Sequence, residues 1–252
     1  MKYNGVDPRT LHPGISIAKE IPPGALTSQL ETLSGSSGEI IIGRTIQQAE
    51  YIVRINIAGK NKEEAWRIRK LLAGWACAAD TQAHPLIPTH WDTVSYDAIL
   101  KEITPPEFKF GFATVDVIFA LPRPIAVDTM ENTAIGASGE GVCKPMIEGT
   151  SYARPTITAY LGSMVIMRLY VGSKCLFGLS QSLAAGTAVE ISTNPPNVRY
   201  KPSGGDWQDG NALIDYTRTD FQALAEAFTP GEKTVTCAMA SQINVTWRDE
   251  WV

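Results

Sequence analysis

Phe119-Ala120-Leu121-Pro122-Arg123-Pro124 ends the first half of the chain, and Pro155-Thr156-Ile157-Thr158-Ala159-Tyr160-Leu161 opens the second. Between them, glycines and a proline are scattered among small polar residues, a composition that does not build a hydrophobic core. These positions are Gly136, Gly139, Gly141, Pro145 and Gly149. The break predicts two domains, residues 1–130 and 151–252, joined by a glycine-rich linker over residues 131–150.

The composition is typical of a soluble globular protein. Of the 252 residues, 44% are hydrophobic and 19% charged, and no apolar run reaches the roughly 18–20 residues that cross a bilayer. Residues Met1–Pro8 lack the apolar stretch of a signal peptide, so we expect folding in a cytoplasm. The net charge is −4, and the one dense basic stretch, Lys60–Lys70, is interrupted by Glu63 and Glu64. This pattern favours a solvated helix face and disfavours direct DNA binding.

The first half predicts a small sheet with one helix laid across it. Tyr51–Gly59, Val94–Leu100 and Phe110–Leu121 alternate apolar and polar residues, as half-buried strands do. Asn61-Lys62-Glu63-Glu64 has the form of a capping box and predicts a helix start. Its apolar stripe is Ala65, Ile68, Leu72, Trp75 and Ala79, widened by Leu71 and Ala76, with Trp75 as the largest anchor.

Three further segments precede these strands. Val6–Gly24 is rich in turn formers and reads as an extended arm, with a short strand at Ile15–Ile17. Ser34–Gly38 predicts a flexible loop, and Glu39–Arg44 a short apolar strand.

The second half predicts an antiparallel β-sandwich, because short alternating strands recur between glycine- and proline-bearing turns. The strands are Ile157–Leu161, Val165–Val171, Val189–Ile191, Val235–Met239 and Ile243–Trp247. One short helix is expected over Asp220–Phe228. Asn194–Asn197 and Lys201–Asn211 are expected to be exposed contact loops at the rim.

Catalytic and metal-binding patterns are poorly supported. His12, His84 and His90 form no zinc-binding spacing, and Gly136–Gly141 lacks the strand-then-helix context of a phosphate cradle. The four cysteines, Cys77, Cys143, Cys175 and Cys237, form no C-x-x-C pair, and we expect Cys175 and Cys237 to be buried free thiols.

Two features of the Lys201–Asn211 loop suggest ligands, but weakly. Asp206, Asp209 and Asn211 offer oxygens of the kind that Ca²⁺ prefers, yet their spacing fails the EF-hand pattern and favours a solvated turn. Trp207 beside these acids suits a sugar-stacking platform, although it has no aromatic partner in the sequence. We therefore predict no catalytic, cofactor-binding or metal site, and no cofactor.

Several segments, in order, resemble the distal tail proteins of long-tailed siphophages. They are Tyr3–Asp7, Gly14–Ile17, Pro22–Gly24, Ile57–Gly59, Leu72–Trp75 and Val117–Pro124, with fainter likeness at Pro155–Thr158, Phe228–Val235, Trp247 and Trp251. The resemblance implies a mainly β (α+β) protein. Its N-terminal domain would be a tail-tube-like β-sandwich or split barrel with one helix, and its C-terminal domain a galectin-like antiparallel β-sandwich.

The same resemblance implies a structural, non-enzymatic function in the virion. The chain would form a homohexameric ring at the phage tail tip, assembled in the host cytoplasm. It would join the tail tube protein to the tail-associated hub protein, could hold receptor-binding proteins, and would let DNA pass without specific binding. We expect the N-terminal arm up to Pro23 to cross the boundary between subunits. The alternative is a carbohydrate- or receptor-binding β-sandwich module without a ring role, and a two-domain hydrolase is a third class for which no constellation is found.

Overall fold

The computed structural model describes residues 1–23, 27–32, 39–45, 49–77, 82–109 and 112–251. The chain forms two compact units, Met1–Val127 and Asp128–Trp251. The long strand pairs of both units are antiparallel, and one helix among the described residues is longer than two turns. The mainly β class expected from the sequence is confirmed.

The first unit is built on one main sheet. Its elements are β1 (Lys2–Tyr3), β2 (Ile15–Ile21), β3 (Thr27–Thr32), β4 (Glu39–Thr45), β5 (Ala49–Ile57), α1 (Lys62–Ala76), β6 (His84–Ile87), β7 (Val94–Ile103), β8 (Glu107–Lys109), β9 (Phe112–Leu121) and β10 (Ala126–Asp128). The sheet order is β1-β6-β7-β9-β5-β2, with β8 paired to β9 and β10 to β7. β3 and β4 pair with each other, which confirms the strand predicted at Glu39–Arg44; the loop predicted at Ser34–Gly38 lies outside the described residues.

The alternation read from the sequence places the core of this unit. Tyr51, Val53 and Ile55 on β5 lie opposite Phe119, Val117 and Val115 on β9. All six side chains are buried, because residues two apart on a strand point to the same face of the sheet.

Helix α1 begins where the capping box predicted it. The Asn61 side chain accepts a hydrogen bond from the Glu64 N–H (2.9 Å), and the Glu64 carboxylate accepts one from the Lys60 N–H (2.6 Å). Backbone donors left unpaired at the helix start are thereby satisfied. Ala65, Ile68, Leu72 and Ala76 are buried on the sheet side of the helix.

Two residues of the predicted stripe behave differently from the expectation. Leu71 is 42% exposed, so the stripe is narrower than predicted. Trp75 is half-buried and meets the rings of Tyr3 and Phe119 edge-on, at 5.9 and 6.1 Å between centroids. Ala79 lies outside the described residues.

The N-terminal segment is part of the first unit and not an unpacked arm, which corrects the premise of the boundary-crossing hypothesis. β1 pairs with β6, and Tyr3 is buried, with its hydroxyl donating to the Ala98 carbonyl (3.3 Å). β2 pairs with β5 from Ile15 onward. Removing the residues up to Pro23 would therefore remove two strands of the core sheet.

The second unit is a β-sandwich. Its elements are β11 (Asn132–Ile135), β12 (Val142–Cys143), β13 (Met146–Ile147), β14 (Thr156–Leu161), β15 (Arg168–Val171), β16 (Lys174–Gly178), β17 (Ala188–Thr193), β18 (Pro196–Lys201), β19 (Gln208–Asp209), α2 (Phe221–Glu226), β20 (Gly231–Glu232), β21 (Val235–Cys237), β22 (Ala240–Trp247) and β23 (Glu250–Trp251). A six-stranded sheet has the order β11-β22-β14-β17-β18-β19, and a four-stranded sheet the order β12-β21-β15-β16. Buried side chains from both sheets form one apolar cluster, as the inner faces of a sandwich do.

The short helix α2 forms close to the predicted place. The Asp220 carboxylate caps it by accepting from the Ala223 N–H (2.9 Å). Leu224 on the helix and Phe228 just after it are buried in the cluster.

The linker predicted over residues 131–150 is wrong. This segment forms β11, β12 and β13, which pair with β22, β21 and β20 inside the second unit. Its glycines are sites of close backbone approach: a Cβ at Gly136, Gly141 or Gly149 would lie 2.1–2.4 Å from a backbone carbonyl oxygen. The small residues of this segment therefore permit tight packing of backbone on backbone. The second unit begins at Asp128, before the predicted linker.

Candidate functional site

The three histidines occupy separate elements of the first unit. The His12 Nδ1 accepts from the Gly14 N–H (3.0 Å) in the turn before β2. His84 lies on β6, with its ring 6.0 Å from that of Tyr3, and His90 follows β6. Across the described part of the chain, no group of three or more His, Cys, Asp or Glu side chains could hold a metal ion.

The thiols are free, and two of them are buried. Burial raises the pKa of Cys143, and it raises the pKa of Cys237 to about 11. Cys175 was expected to be buried but is half-buried, with its thiol donating to the Phe177 carbonyl (3.7 Å). A raised pKa keeps both buried thiols protonated at neutral pH, so neither is a nucleophile.

Two of the three residues suggested as calcium ligands, Asp209 and Asn211, accept hydrogen bonds inside the protein, whereas Asp206 is exposed. The Asp209 carboxylate accepts from the Asn211 N–H (3.0 Å), and the Asn211 side-chain oxygen accepts from the Val198 N–H (3.0 Å). Strand residues enter the predicted loops only at their edges, because β18 begins at Pro196 and Arg199 of β18 pairs with Asp209 of β19. The segment around Asp209 and Asn211 is therefore a turn held by its own hydrogen bonds at the edge of the six-stranded sheet.

Trp207 is exposed, but one face of its ring is covered by a cationic side chain. The Arg199 guanidinium lies over it at 5.3 Å from the ring centroid. Arg199 also forms an ion pair with Glu190 on the neighbouring strand. A cation placed on one aromatic face leaves less of the ring for stacking against a sugar.

A polar cluster joins three strand regions of the first unit around Glu20. Its carboxylate accepts from the Tyr51 hydroxyl (2.8 Å), the Thr89 N–H (3.0 Å) and the Thr89 hydroxyl. Burial alone would raise the pKa of Glu20, but the hydrogen bonds from Thr89 and Tyr51 hold it below its ordinary value. Burial and the bond to Glu20 raise the pKa of Tyr51. The cluster fixes the chain after β6 against β2.

We expect Glu20→Gln to lower the free energy of unfolding at pH 7 by about 1–3 kcal/mol, because the amide NH₂ would face N–H and O–H donors. The folded pKa of Glu20 lies below its ordinary 4.5. Its contribution is therefore present above that value and lost as the pH falls through the folded pKa. In urea unfolding, the gap between the wild type and the variant should narrow below pH 4.5. Exposed Glu102→Gln is the control, and a gap independent of pH would contradict the prediction.

An open groove on the first unit combines apolar and basic residues. It measures about 190 Å³ and lies where β5 ends, α1 begins and the β8–β9 hairpin folds over them. Phe108 and Phe112 are 42% and 38% exposed, and the Lys62 ammonium lies 5.6 Å from the Phe108 ring centroid. We define the basic groove as Lys60, Lys62, Phe108, Lys109 and Phe112.

The basic groove contains no carboxylate among its described lining residues. The sequence showed Lys60 and Lys62 as part of a solvated helix face, but it gave no sign of the aromatic half. Phe108 and Phe112 join the lysines only because β8 folds back on β9, pairing Lys109 with Phe112.

Comparison with known proteins identifies the fold. No protein-family model and no curated protein matches the sequence. The crystal structure of the Dit protein (gp 19.1) of SPP1 is similar over 99% of this chain and 98% of its own, with a TM-score of 0.72 and 14% sequence identity. The chain has the Dit fold. SPP1 Dit is described as a paradigm of the hub adsorption apparatus in phages that infect Gram-positive hosts.

The Dit fold covers both units in a single match, so the resemblance read from the sequence is confirmed at the level of the fold. Two phage P2 baseplate structures in the activated conformation, one with Ca and one with Sr, are more distant. Their TM-scores are 0.49 and 0.47, with 10% identity over 94% and 93% of this chain and 90% of theirs. Within the described residues of this Dit-fold chain, no helix is both long and apolar enough to span a membrane.

Proposed function

We propose that this chain is a structural hub protein of a long-tailed phage tail tip. The observation that carries the proposal is the likeness to SPP1 Dit over nearly the whole of both chains. A fold alone does not determine a function, but this match covers both units in the same chain order.

The proposed assembly is a homohexameric ring around a channel through which DNA passes. The charge distribution supports it. Residues 1–127 hold 13 Lys and Arg and 13 Asp and Glu, so the first unit is neutral, whereas residues 128–252 hold 9 and 13 and account for the net −4. A channel without a basic excess does not retain the phosphate backbone. In this proposal the first unit forms the ring.

The second unit is proposed to be a galectin-like sandwich that faces outward and is able to hold receptor-binding proteins. The ring joins the tail tube protein on one side to the tail-associated hub protein on the other. The protein is assembled in the host cytoplasm and resides in the virion.

Immunogold electron microscopy of phage particles that encode the chain tests this function. Antibodies raised against the purified chain should label the distal end of the tail, at the junction with the tip. Particles lacking the chain should have no complete tail tip. Label on the capsid, or absence of the chain from purified particles, would contradict the proposal.

A further inference from the structure

The second unit carries an open depression at one end of its six-stranded sheet. It measures about 280 Å³ and lies where the segment before β14, the turn between β17 and β18, and α2 meet. The Ala153 N–H donates to the Phe228 carbonyl (2.9 Å), which ties the first segment to the end of α2. The Thr193 N–H and hydroxyl both donate to the Pro155 carbonyl (3.2 and 2.9 Å), which ties it to the turn. The walls of the depression are therefore fixed by hydrogen bonds of the unit itself.

Part of the lining is apolar and aromatic. Phe221 is half-buried, and its ring contacts that of the buried Phe177 at 6.2 Å between centroids. The buried Ala225 follows one helical turn later and also lines the depression. The Arg154 guanidinium lies 5.9 Å from the centroid of the Tyr152 ring, whereas no described cation lies over Phe221. Phe221 is therefore the aromatic ring whose surface is left for a ligand.

The rest of the lining offers hydrogen-bond donors and acceptors side by side. The Gln222 amide donates to the Glu226 carboxylate (2.8 Å), which leaves the Gln222 Oε1 and the second Glu226 oxygen as acceptors. The Asn194 side chain has no hydrogen-bond partner among the described residues. Arg154 has a loose ion pair, with its Nε 3.7 Å from the Glu250 carboxylate, and its guanidinium donates no hydrogen bond to the described residues. These polar groups are available to a ligand.

The charges around the depression do not favour a charged ligand. The described lining holds one cation, Arg154, and one anion, Glu226. The buried carboxylate of Glu250 lies beside Arg154 and offsets its charge. A phosphate or carboxylate ligand would meet these acids, and a cationic ligand would meet Arg154. A neutral ligand avoids both costs.

We propose that this depression binds one neutral pyranose ring of a glycan. Sugar hydroxyl groups both donate and accept hydrogen bonds, so they match the mixed polar groups, and the C–H face of the ring suits the aromatic surface of Phe221. Pockets for drug-sized ligands measure about 300–1,000 Å³, so an open site of about 280 Å³ suits a single ring better than an extended peptide. Trp207 does not line the depression, which makes this site distinct from the platform considered in the sequence. The inference concerns the second unit alone and does not depend on the proposed ring.

Saturation-transfer difference NMR on the full chain tests the site. The probes are the methyl glycosides of glucose, galactose, mannose and N-acetylglucosamine, each titrated separately to give a dissociation constant. At least one should receive saturation, most strongly at its ring C–H protons. The variant is Asn194→Ala combined with Gln222→Ala, because both side chains are exposed. An unchanged urea midpoint shows that this variant is folded.

The double variant should raise the dissociation constant of the bound sugar by at least about tenfold, because two hydrogen-bonding side chains are lost. Trp207→Ala, at an exposed aromatic residue outside the depression, is the matched control and should bind like the wild type. Inorganic phosphate should not displace the sugar, because the depression has no excess of cations.

Every other outcome counts against the site. Absence of saturation transfer to all four glycosides, or equal affinity of the double variant and the wild type, would overturn the proposal. Binding that is lost in Trp207→Ala and kept in the double variant would place the sugar on the Trp207 loop instead. Displacement by inorganic phosphate would show an anion site. None of these results bears on the proposed ring, which is tested separately by electron microscopy.

Discussion

Replacing Gly141 with alanine is expected to destabilise the second unit by about 3 kcal/mol, the upper end of what overpacking of a tightly packed site typically costs. A Cβ at Gly141 would lie 2.1 Å from the Cys237 carbonyl oxygen and 3.2 Å from that of Ala240. Both atoms belong to backbone, so no side-chain rotation relieves the overlap. β12 and β21, paired through Cys143 and Val235, would have to separate.

Urea unfolding followed by circular dichroism measures this effect. Gly205→Ala is the matched control, because its added Cβ would find its nearest atoms at 3.6 Å and its backbone needs no positive φ. The control should change stability by less than about 0.5 kcal/mol. Equal midpoints for Gly141→Ala and the wild type would show that residues 131–150 do not pack as the structure places them.

Asp249→Ala is the second change with a large expected effect, a loss of about 3–5 kcal/mol, because three neutral donors lose their acceptor at about 1–3 kcal/mol each. The Asp249 carboxylate is 2% exposed. It accepts from the Asn132 side-chain amide (2.9 Å), the Glu148 N–H (3.0 Å) and the Trp247 indole N–H (3.2 Å). Alanine would leave three donors without that acceptor, and it would release β11 and the segment after β13 from the end of β22.

Thermal and urea unfolding of Asp249→Ala should show the loss in the second unit. Asp206→Ala, at an exposed carboxylate in the loop before β19, is the control and should unfold with the wild type. If the two aspartate variants were equally stable, Asp249 would not join these segments.

Local patterns predicted much of the secondary structure. The strict alternation of Tyr51, Val53, Ile55 and Ile57 is sufficient to place β5, because one face of that strand is buried against apolar side chains. Asn61 and Asp220 each begin a helix through a hydrogen bond that spans three residues. Strand alternation and helix caps each involve only a few neighbouring residues, so they can be recognised in a single sequence.

The glycine-rich segment shows where local patterns fail. Small polar residues around Gly136, Gly141 and Gly149 are typical of a flexible connection, and they are equally typical of backbone that packs tightly on other backbone. The choice depends on the partner strands β21 and β22, which lie about a hundred residues later. The local sequence of the segment does not show which strands it will pair with.

The basic groove could not be predicted from the sequence, because it also depends on contacts between distant segments of the chain. The two halves of the basic groove, Lys60–Lys62 and Phe108–Phe112, are separated by the whole of α1 and two strands. The N-terminal arm was misjudged because Tyr3 finds its partners, Phe119 and Trp75, far along the chain. Contacts between residues far apart in the chain determine both the basic groove and the packing of the N-terminal segment. Sequence periodicity describes only one helix or strand at a time.

Negative-stain electron microscopy of the purified full chain tests the ring most directly. We expect closed rings of six copies of the 27.4-kDa chain around a central channel, with an outer layer formed by the second unit. Class averages with six-fold symmetry would support the hub function. Single particles of one chain at every concentration, or open filaments in place of closed rings, would contradict it.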